Sequence, residues 1–227
     1  MMSIQPSTLR FLKDLAKNNN RAWFADHKDQ YLAAQSAMIA FIDQLILMMN
    51  KHDELETESG KKSLFRIYND VRFSKDKSPY NPRFAFSLKR ATKLKRGGYY
   101  MNIKPGNCFL ACGFFAPTTD DLKRIRQDID YNYPEWNSIL QSKLIKSTFG
   151  ALQGDTVVTA PRGYTIDHEA IALLRHKQFI VRHHFTDAEV VSPDFLKQVN
   201  TMYKNVRPYF DYMSSVLTTD ANGELLV

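Results

Sequence analysis

LFRIYNDVRFSKDKSPY, residues 64–80, is the stretch that decides the fold, because it joins strand-like alternation to a charged loop. Through residue 73 its side chains fall into two sets spaced two residues apart, as they do on the two faces of a strand. One set is apolar and the other polar: Phe65, Ile67, Val71 and Phe73 against Arg66, Tyr68, Asp70 and Arg72. The stretch therefore predicts a half-buried strand over residues 64–73.

The loop that follows, residues 74–82, gathers charged and polar groups beside the end of this polar row. Its members are Lys75, Asp76, Lys77, Ser78 and Tyr80. Such a density of donors suits an anion, although the loop lacks the glycines and helix start of a P-loop, which excludes that phosphate motif. A charged surface turn remains the alternative interpretation.

Length and composition fit a single domain over residues 1–227, since 44% apolar content is enough for a sizeable core. The formal charge of +7, from 31 basic and 24 acidic residues, suits nucleic acid, anionic metabolites or a membrane surface without specifying one. No apolar run approaches a membrane span, and no signal-peptide apolar region begins the chain. We expect a cytoplasmic protein without membrane contact.

The two cysteines, Cys108 and Cys112, lie four residues apart in a predicted strand. That spacing places them ~13 Å apart on one face, too far for a disulfide. We expect both to be buried thiols in a reducing compartment.

The rest of the chain predicts an α+β fold in which helices flank a mostly antiparallel sheet. Further strands are predicted at residues 83–89, 99–104, 107–115 and 178–185. Helices are predicted to begin at Pro6, at the asparagines 18–20, at Thr118, at Pro134, at Asp167 and at Ser192, with a break near Pro208 in the last.

Pro105 and Gly106 suit the two central positions of a type II turn, which places Lys104 opposite Asn107. This register puts six residues on one apolar face: Tyr99, Met101, Ile103, Cys108, Leu110 and Cys112. The other face carries Tyr100, Asn102 and Lys104 beside the small residues Ala111 and Gly113. Small residues beside donors leave room, so this face predicts the floor of a pocket.

Three stretches resemble the family known as domain of unknown function 2461: NNNRAWF at residues 18–24, RIYNDVRFSKDKSPY at 66–80 and PRGYTIDH at 161–168. The resemblance covers nearly the whole chain and departs at Asn69 and Asn81, where the family more often has a basic residue. It implies one intact cytoplasmic domain. It transfers no catalytic role, because the family carries no assigned reaction, so function has to be inferred from the site.

Our principal hypothesis is a pocket for a phosphate- or carboxylate-bearing small molecule on the Arg66 face. The residues that would build it are Arg66, Tyr68, Asp70, Arg72, Lys75, Lys77, Tyr80 and Tyr100. In an enzyme the cations would stabilise negative charge, while Asp70 or His184 would move the proton. Cross-strand ion pairs on a solvated sheet face are the alternative.

Two further functions remain open. The basic run KRATKLKR, residues 89–96, is typical of a solvated turn, but with Tyr99 and Tyr100 it could bind nucleic acid through phosphate contacts and base stacking. An interaction protein without a ligand is the other alternative.

The histidines and cysteines predict neither a metal site nor a nucleophile, and no motif indicates a particular cofactor. His183 and His184 point to opposite faces of a strand. We expect His183 to be packed and hydrogen-bonded beside Phe179 and Val181, and His184 to lie on the polar side. His168 would make a local contact or act as a neutral base.

Overall fold

The sheet of the computed structural model has four antiparallel strands in the order β1-β2-β3-β4, within an α+β fold as predicted. The strands are β1 (Phe84–Lys89), β2 (Gly98–Ile103), β3 (Cys108–Phe114) and β4 (Phe179–Phe185). The structure describes residues 3–70, 72, 75–91, 93–220 and 222–226. All four strands lie within one residue of the predicted ranges at either end.

The helices lie before, between and after these strands. They are α1 (Pro6–Lys17), α2 (Arg21–Asp26), α3 (Lys28–Met49), α4 (Gly60–Ser63), α5 (Thr119–Tyr131), α6 (Tyr133–Gln141), α7 (Lys143–Phe149), α8 (Ile171–Leu174), α9 (Asp187–Val190), α10 (Phe195–Asn205) and α11 (Arg207–Thr218). The break between α10 and α11 occurs next to Pro208, as expected.

Several helix starts follow the predicted capping chemistry. Pro6 opens α1, and the side chain of Asn20 accepts a hydrogen bond from the backbone of Trp23 at the start of α2. Thr118 and Asp121 form a complete capping box at the start of α5. The helix expected through Ile171 and Leu174 is present as α8, but its predicted start at Asp167 is wrong, because the chain turns there and α8 begins only at Ile171.

The chain divides into two compact units, and every strand contributes residues to both. Unit 1 comprises Met1–Leu88, Tyr100–Leu110 and His184–Thr201, and unit 2 comprises Lys89–Tyr99, Ala111–His183 and Met202–Val227. The single domain expected from the sequence stays a prediction.

The core of unit 1 is rich in aromatic rings. Phe24 stacks on Tyr80 with ring centroids 4.0 Å apart, and Phe41 stacks on Phe195 at 5.8 Å. Trp23 stacks on His27 at 4.0 Å, and His27 separates α2 from α3, which were expected as one helix.

Helix α3 corrects one expectation from the sequence. By length and composition it could cross a membrane, since an 18-residue window of it has a mean hydropathy of 1.6. Core helices of soluble proteins meet the same criterion. Here the side chains of Met38, Phe41, Ile42 and Leu45 are buried in unit 1, whereas Leu32 and Leu47 are exposed.

The core of unit 2 surrounds Trp136, which is fully buried. Its indole Nε1–H donates to Asp128 at 2.7 Å, and the Tyr212 hydroxyl donates to the same carboxylate at 2.8 Å. Tyr209 donates to the carbonyl of Phe179 at 3.1 Å. These polar groups of the core are therefore paired with each other, as the low dielectric of an interior requires.

Both cysteines are buried and free, as expected. Burial raises the pKa of the Cys108 thiol to about 11. The thiol therefore stays protonated and unreactive at neutral pH.

The strand predicted over residues 64–73 is wrong. The segment makes only isolated bridges among the described residues, Leu64 with Phe86 and Tyr68 with Tyr80. The backbone N–H of Phe65 donates to Ala85 at 2.8 Å, whereas that of Asn81 donates to Ile67 at 2.7 Å.

Between these two pairings the register shifts by two residues. The chain advances two residues from Phe65 to Ile67, while the segment paired with it moves by four positions, from Ala85 to Asn81. The paired segment therefore forms a bulge at Pro82 and Arg83. Proline has no N–H to donate to a ladder, which favours an interruption at this point.

The side chains of this segment do not keep the predicted alternation. Phe65 is 47% exposed and Ile67 only 1%, so the predicted apolar face holding both does not form. Arg66, Tyr68, Asp70 and Arg72 all retain contact with solvent, as the polar row predicted. Val71, Phe73 and Ser74 lie outside the described residues.

The turn between β2 and β3 confirms the predicted register. Asn107 N–H donates to the Lys104 carbonyl at 2.8 Å, and Gly106 has φ +76°, as position three of a type II turn requires. The six residues of the expected apolar face, Tyr99, Met101, Ile103, Cys108, Leu110 and Cys112, are all buried.

Gly113, in contrast, does not leave room for a pocket. A Cβ at this position would lie 2.2 Å from the carbonyl oxygen of Phe179, so the backbone of β4 already fills the space. The absence of a side chain serves strand packing in unit 2.

Candidate functional site

Arg72 and Asp70, two residues of the expected pocket, pair with each other on the surface of unit 1. Arg72 Nη2 lies 2.7 Å from Asp70 Oδ2, and Nε lies 3.0 Å from Oδ1, a two-pronged contact. The Arg72 side chain is 76% exposed. Hydrogen bonds from the Arg72 side chain and backbone lower the pKa of Asp70, which makes this carboxylate a weaker proton acceptor.

The loop after residue 74 has the geometry of a self-contained charged turn. Asp76 Oδ1 accepts from the Ser78 N–H at 2.8 Å, and hydrogen bonding to Ser78 lowers the pKa of Asp76. Lys75 and Lys77 are exposed on this turn. Both acidic groups of the stretch are therefore engaged by their immediate neighbours.

The two tyrosines of the stretch contribute to the packing of unit 1. The ring of Tyr80 is buried against Phe24, and Tyr68, although exposed, contacts the Tyr80 ring at 5.4 Å. The Asn19 side chain binds the backbone of Tyr80 twice, accepting from its N–H at 3.1 Å and donating to its carbonyl at 2.8 Å. Two of the family-like stretches are therefore joined to each other.

A row of rings crosses the sheet face of unit 1, and we call it the aromatic row. Phe65 and Tyr100 have centroids 6.2 Å apart, Tyr100 and Phe109 5.9 Å, and Phe109 and His184 5.5 Å. Phe65 and His184 are exposed, while Tyr100 and Phe109 are half-buried. The structure thus unites two predicted site residues, Tyr100 and His184, with two that the sequence did not indicate.

Strand alternation places each ring of the aromatic row. Phe65 pairs with Ala85 of β1, and the methyl side chain of Ala85 is small enough for Phe65 to reach across it to Tyr100 of β2. Phe109 lies diagonally from Tyr100 on β3, within the reach of aromatic side chains on neighbouring strands. His184 alternates with the residues of β4 that point into the core, so its side chain points to the opposite face.

Arg83 lies at this face and is held by two uncharged side chains. Its Nη1 donates to the Tyr100 hydroxyl at 3.0 Å and to Asn102 Oδ1 at 3.1 Å. Asn102 is buried and donates in turn to the Asn107 carbonyl at 2.8 Å. Within the described part of the chain, no carboxylate pairs with the half-buried Arg83.

Sequence reasoning missed Arg83 as a site residue, although a signal was present. Arg83 immediately precedes β1, and its alternation with Phe84 places it on the same side as Ala85. No partner strand was predicted for this segment, so the proximity of Arg83 to Tyr100 was not deduced.

Two other histidines are fully engaged within unit 2. His183 Nδ1 lies 2.7 Å from the Thr148 carbonyl, which confirms it as a packed, hydrogen-bonded residue. His168 Nδ1 accepts from the Ala170 N–H at 3.0 Å, so the proton lies on Nε2, which donates to Asp130 at 2.9 Å. With both ring nitrogens occupied, His168 makes a local contact and has no lone pair for base catalysis.

The basic run forms the predicted turn, with Lys89 and Lys93 exposed, but its two arginines are not solvated as that interpretation expected. Arg90 is 3% exposed, donates to Asp211 at 2.7 Å and to the Arg96 carbonyl at 2.9 Å, and lies over the Phe210 ring. Arg96 pairs with Asp121 at 2.6 Å.

These contacts remove much of the surface on which nucleic-acid binding by the run depends. Tyr99 is buried, so its ring cannot stack on a base. In the described ranges, no group of three or more His, Cys, Asp or Glu side chains is arranged to hold a metal ion.

Comparison with known proteins identifies the family. The model of the conserved hypothetical protein family DUF2461 matches residues 7–212, so the chain belongs to this family. No curated protein and no solved structure matches the chain. Function therefore has to be inferred from the site itself.

Proposed function

We propose that the protein binds a small molecule bearing a phosphate or carboxylate group, and that Arg83 on the sheet face of unit 1 receives that group. The single observation that carries the proposal is the environment of Arg83. Its guanidinium is half-buried and held by neutral oxygens, without a carboxylate partner among the described residues.

A charged group that is partly withdrawn from water is stabilised by an opposite charge. Only Nη1 of Arg83 donates to protein acceptors within the described residues, so Nε and Nη2 can donate to a ligand. The planar fork of a guanidinium matches the two oxygens of a carboxylate or phosphate. Tyr100 and Asn102 hold the fork in place before a ligand arrives, which reduces the entropy lost on binding.

Arg72, the anchor expected from the sequence, is a weaker choice. Its fork already binds both oxygens of Asp70, and its side chain is largely in water. An anion at Arg72 would have to displace an attached carboxylate, whereas an anion at Arg83 would not. We therefore keep the phosphate- or carboxylate-bearing ligand expected from the sequence, and propose Arg83 in place of Arg72 as the residue that binds its anionic group.

Thermal unfolding of the full chain tests the proposal with phosphate, sulfate and citrate as probes at millimolar concentration. A ligand that binds only the native state stabilises it by about 2.7 kcal/mol at a hundred times its Kd. We expect the midpoint to rise for the wild type and for Arg72→Met, but not for Arg83→Met. Arg83→Lys should retain part of the rise, because it keeps the charge and loses the fork.

Circular dichroism of Arg83→Met, compared with the wild type, establishes that the variant is folded. The proposal is overturned if none of the three anions moves the wild-type midpoint. It is also overturned if Arg72→Met removes the effect while Arg83→Met keeps it, which would return the anchor to the 66–80 stretch.

A further inference from the structure

We infer that the ligand is of the nucleotide class, with a planar base stacked on the aromatic row and its phosphate at Arg83. This inference rests on the proposed function, because it takes the anion at Arg83 as given. It adds the chemical identity of the rest of the ligand.

The first support is that the aromatic row is a continuous accessible surface. Each ring contacts the next, from Phe65 through Tyr100 and Phe109 to His184, at 6.2, 5.9 and 5.5 Å between centroids. Phe65 keeps 47% of its surface exposed. Contiguous exposed rings on a monomer mark a binding surface more often than chance exposure of single residues does.

The second support is that the row lies on the face of the sheet opposite the main apolar core of unit 1, where it covers only Ala85 and Asn102. The opposite face supplies that core within unit 1, where Met101, Ile103, Cys108 and Leu110 are all buried. A sheet that buries one face leaves the other to solvent and usually makes it polar. An aromatic surface there calls for a ligand with a π face.

The third support is that the anion anchor and the rings meet at one residue. The Tyr100 ring belongs to the aromatic row, and its hydroxyl accepts from Arg83 at 3.0 Å. A ligand that used both would carry an aromatic ring and an anion joined by a short linker. A nucleoside phosphate has this arrangement, and the net charge of +7 favours phosphates over neutral ligands.

Stacking supplies about 1–3 kcal/mol per base when the protein offers an aromatic face. A free nucleotide and a base of single-stranded nucleic acid present the same chemistry to such a face. Titration with a short oligonucleotide beside a mononucleotide separates these two sources.

Isothermal titration of the full chain provides the test, with AMP, adenosine, ribose 5-phosphate and hexathymidine as probes. We expect AMP to bind at least tenfold more tightly than ribose 5-phosphate. Phe109→Leu should remove most of this advantage and leave the affinity for ribose 5-phosphate unchanged, because leucine keeps apolar bulk and lacks the π face. Phe115→Leu, an exposed phenylalanine outside the row, is the matched control and should change neither affinity.

The outcomes distinguish this inference from the proposed function. Equal affinity for AMP and ribose 5-phosphate overturns the inference and leaves the anion site standing. Failure of every phosphate-bearing probe to bind overturns the inference, and it overturns the proposed function as well if phosphate, sulfate and citrate all leave the wild-type melting midpoint unchanged. Tight binding of hexathymidine alone, weakening steeply with salt, supports the inference and identifies single-stranded nucleic acid as the source.

A second variant, at Phe65, keeps the inference testable if Phe109→Leu does not fold. Phe65→Leu should give the same selective loss, because Phe65 is exposed and its backbone pairing with Ala85 does not use the ring. If both folded variants bind AMP like the wild type, the aromatic row does not hold the base and the inference is overturned.

Discussion

Asn19 shows how one side chain can replace a strand partner. Its amide both accepts from and donates to the backbone of Tyr80, as a neighbouring peptide would in a ladder. The residue lies between α1 and α2, 61 positions from Tyr80. Asn19, at the junction of two helices, thus holds the backbone at Tyr80, shortly before the first strand of the sheet begins.

We predict that Asn19→Ala destabilises the protein by about 1–3 kcal/mol, since it leaves two partly buried backbone groups of Tyr80 without their partner. Urea unfolding followed by circular dichroism measures the change. Asn18→Ala is the matched control, because the Asn18 side chain makes an exposed hydrogen bond to Asp14 and should matter by less than about 0.5 kcal/mol. Equal effects of the two substitutions would contradict the role assigned to Asn19.

Among the secondary-structure elements, those that depend on neighbouring residues were for the most part predicted correctly from the sequence, whereas the strand that depends on its pairing partner was not. The turn at Pro105–Gly106 was predictable because its geometry depends on two adjacent residues. The strand at residues 64–73 was not, because its alternation holds only if the partner strand advances in step. The bulge at Pro82 and Arg83 breaks that condition, whereas Phe65, paired with Ala85 before the bulge, lies beside Tyr100.

Two glycines, one in a turn and one in a strand, both have a positive φ that strains any other residue, but only the strand glycine would also meet a steric clash. Gly106 has φ +76° and open space within 4 Å of the point where a methyl carbon would lie, whereas a methyl on Gly113 would meet the Phe179 carbonyl at 2.2 Å. We predict that Gly106→Ala costs about 1 kcal/mol from strain alone. Gly113→Ala should cost clearly more, about 3 kcal/mol, or prevent folding. Thermal and urea unfolding of the two variants supply the comparison, and equal losses would count against close packing of β4 on Gly113.

For the whole molecule, the sequence predicted the α+β class and all four strands of the sheet, because strand signals come from local periodicity. It also predicted a fifth strand, at residues 64–73, which does not form among the residues described there. It did not reveal that Arg90 and Arg96 are used inside unit 2. Their partners Asp211 and Asp121 lie far along the chain, and charge alone does not say which cations are paired. For the same reason, the sequence favoured Arg72 over Arg83 as the anion anchor.

The pH dependence of global stability should include a contribution from Asp187. Its carboxylate accepts from Lys13 Nζ at 2.9 Å and from the Gly106 N–H at 2.8 Å, and these contacts, Lys13 first, lower its pKa. A lowered pKa in the native state stabilises the fold above the ordinary pKa of an aspartate, about 3.9, and this stability is lost as the pH falls through the native value.

We therefore predict that Asp187→Asn lowers the free energy of unfolding at pH 7 by about 1 kcal/mol or less, given its partial exposure. The difference from the wild type should shrink on acidification below about pH 4. Urea unfolding at a series of pH values measures it. Asp26→Asn, at an exposed helix position, is the control and should show no such convergence. A difference that stays constant down to about pH 2 would rule out this linkage.

Because the two tryptophans lie in different units, their fluorescence can report on each unit separately. Trp23, stacked on His27, belongs to unit 1, and the buried Trp136 belongs to unit 2. A chain in which one of them is replaced by phenylalanine has its remaining indole in a single unit. Intrinsic fluorescence of the two replacements can therefore follow each unit separately during unfolding. Coincident transitions would show that the units melt cooperatively, and separated transitions would show that each half of the sheet can lose its structure independently.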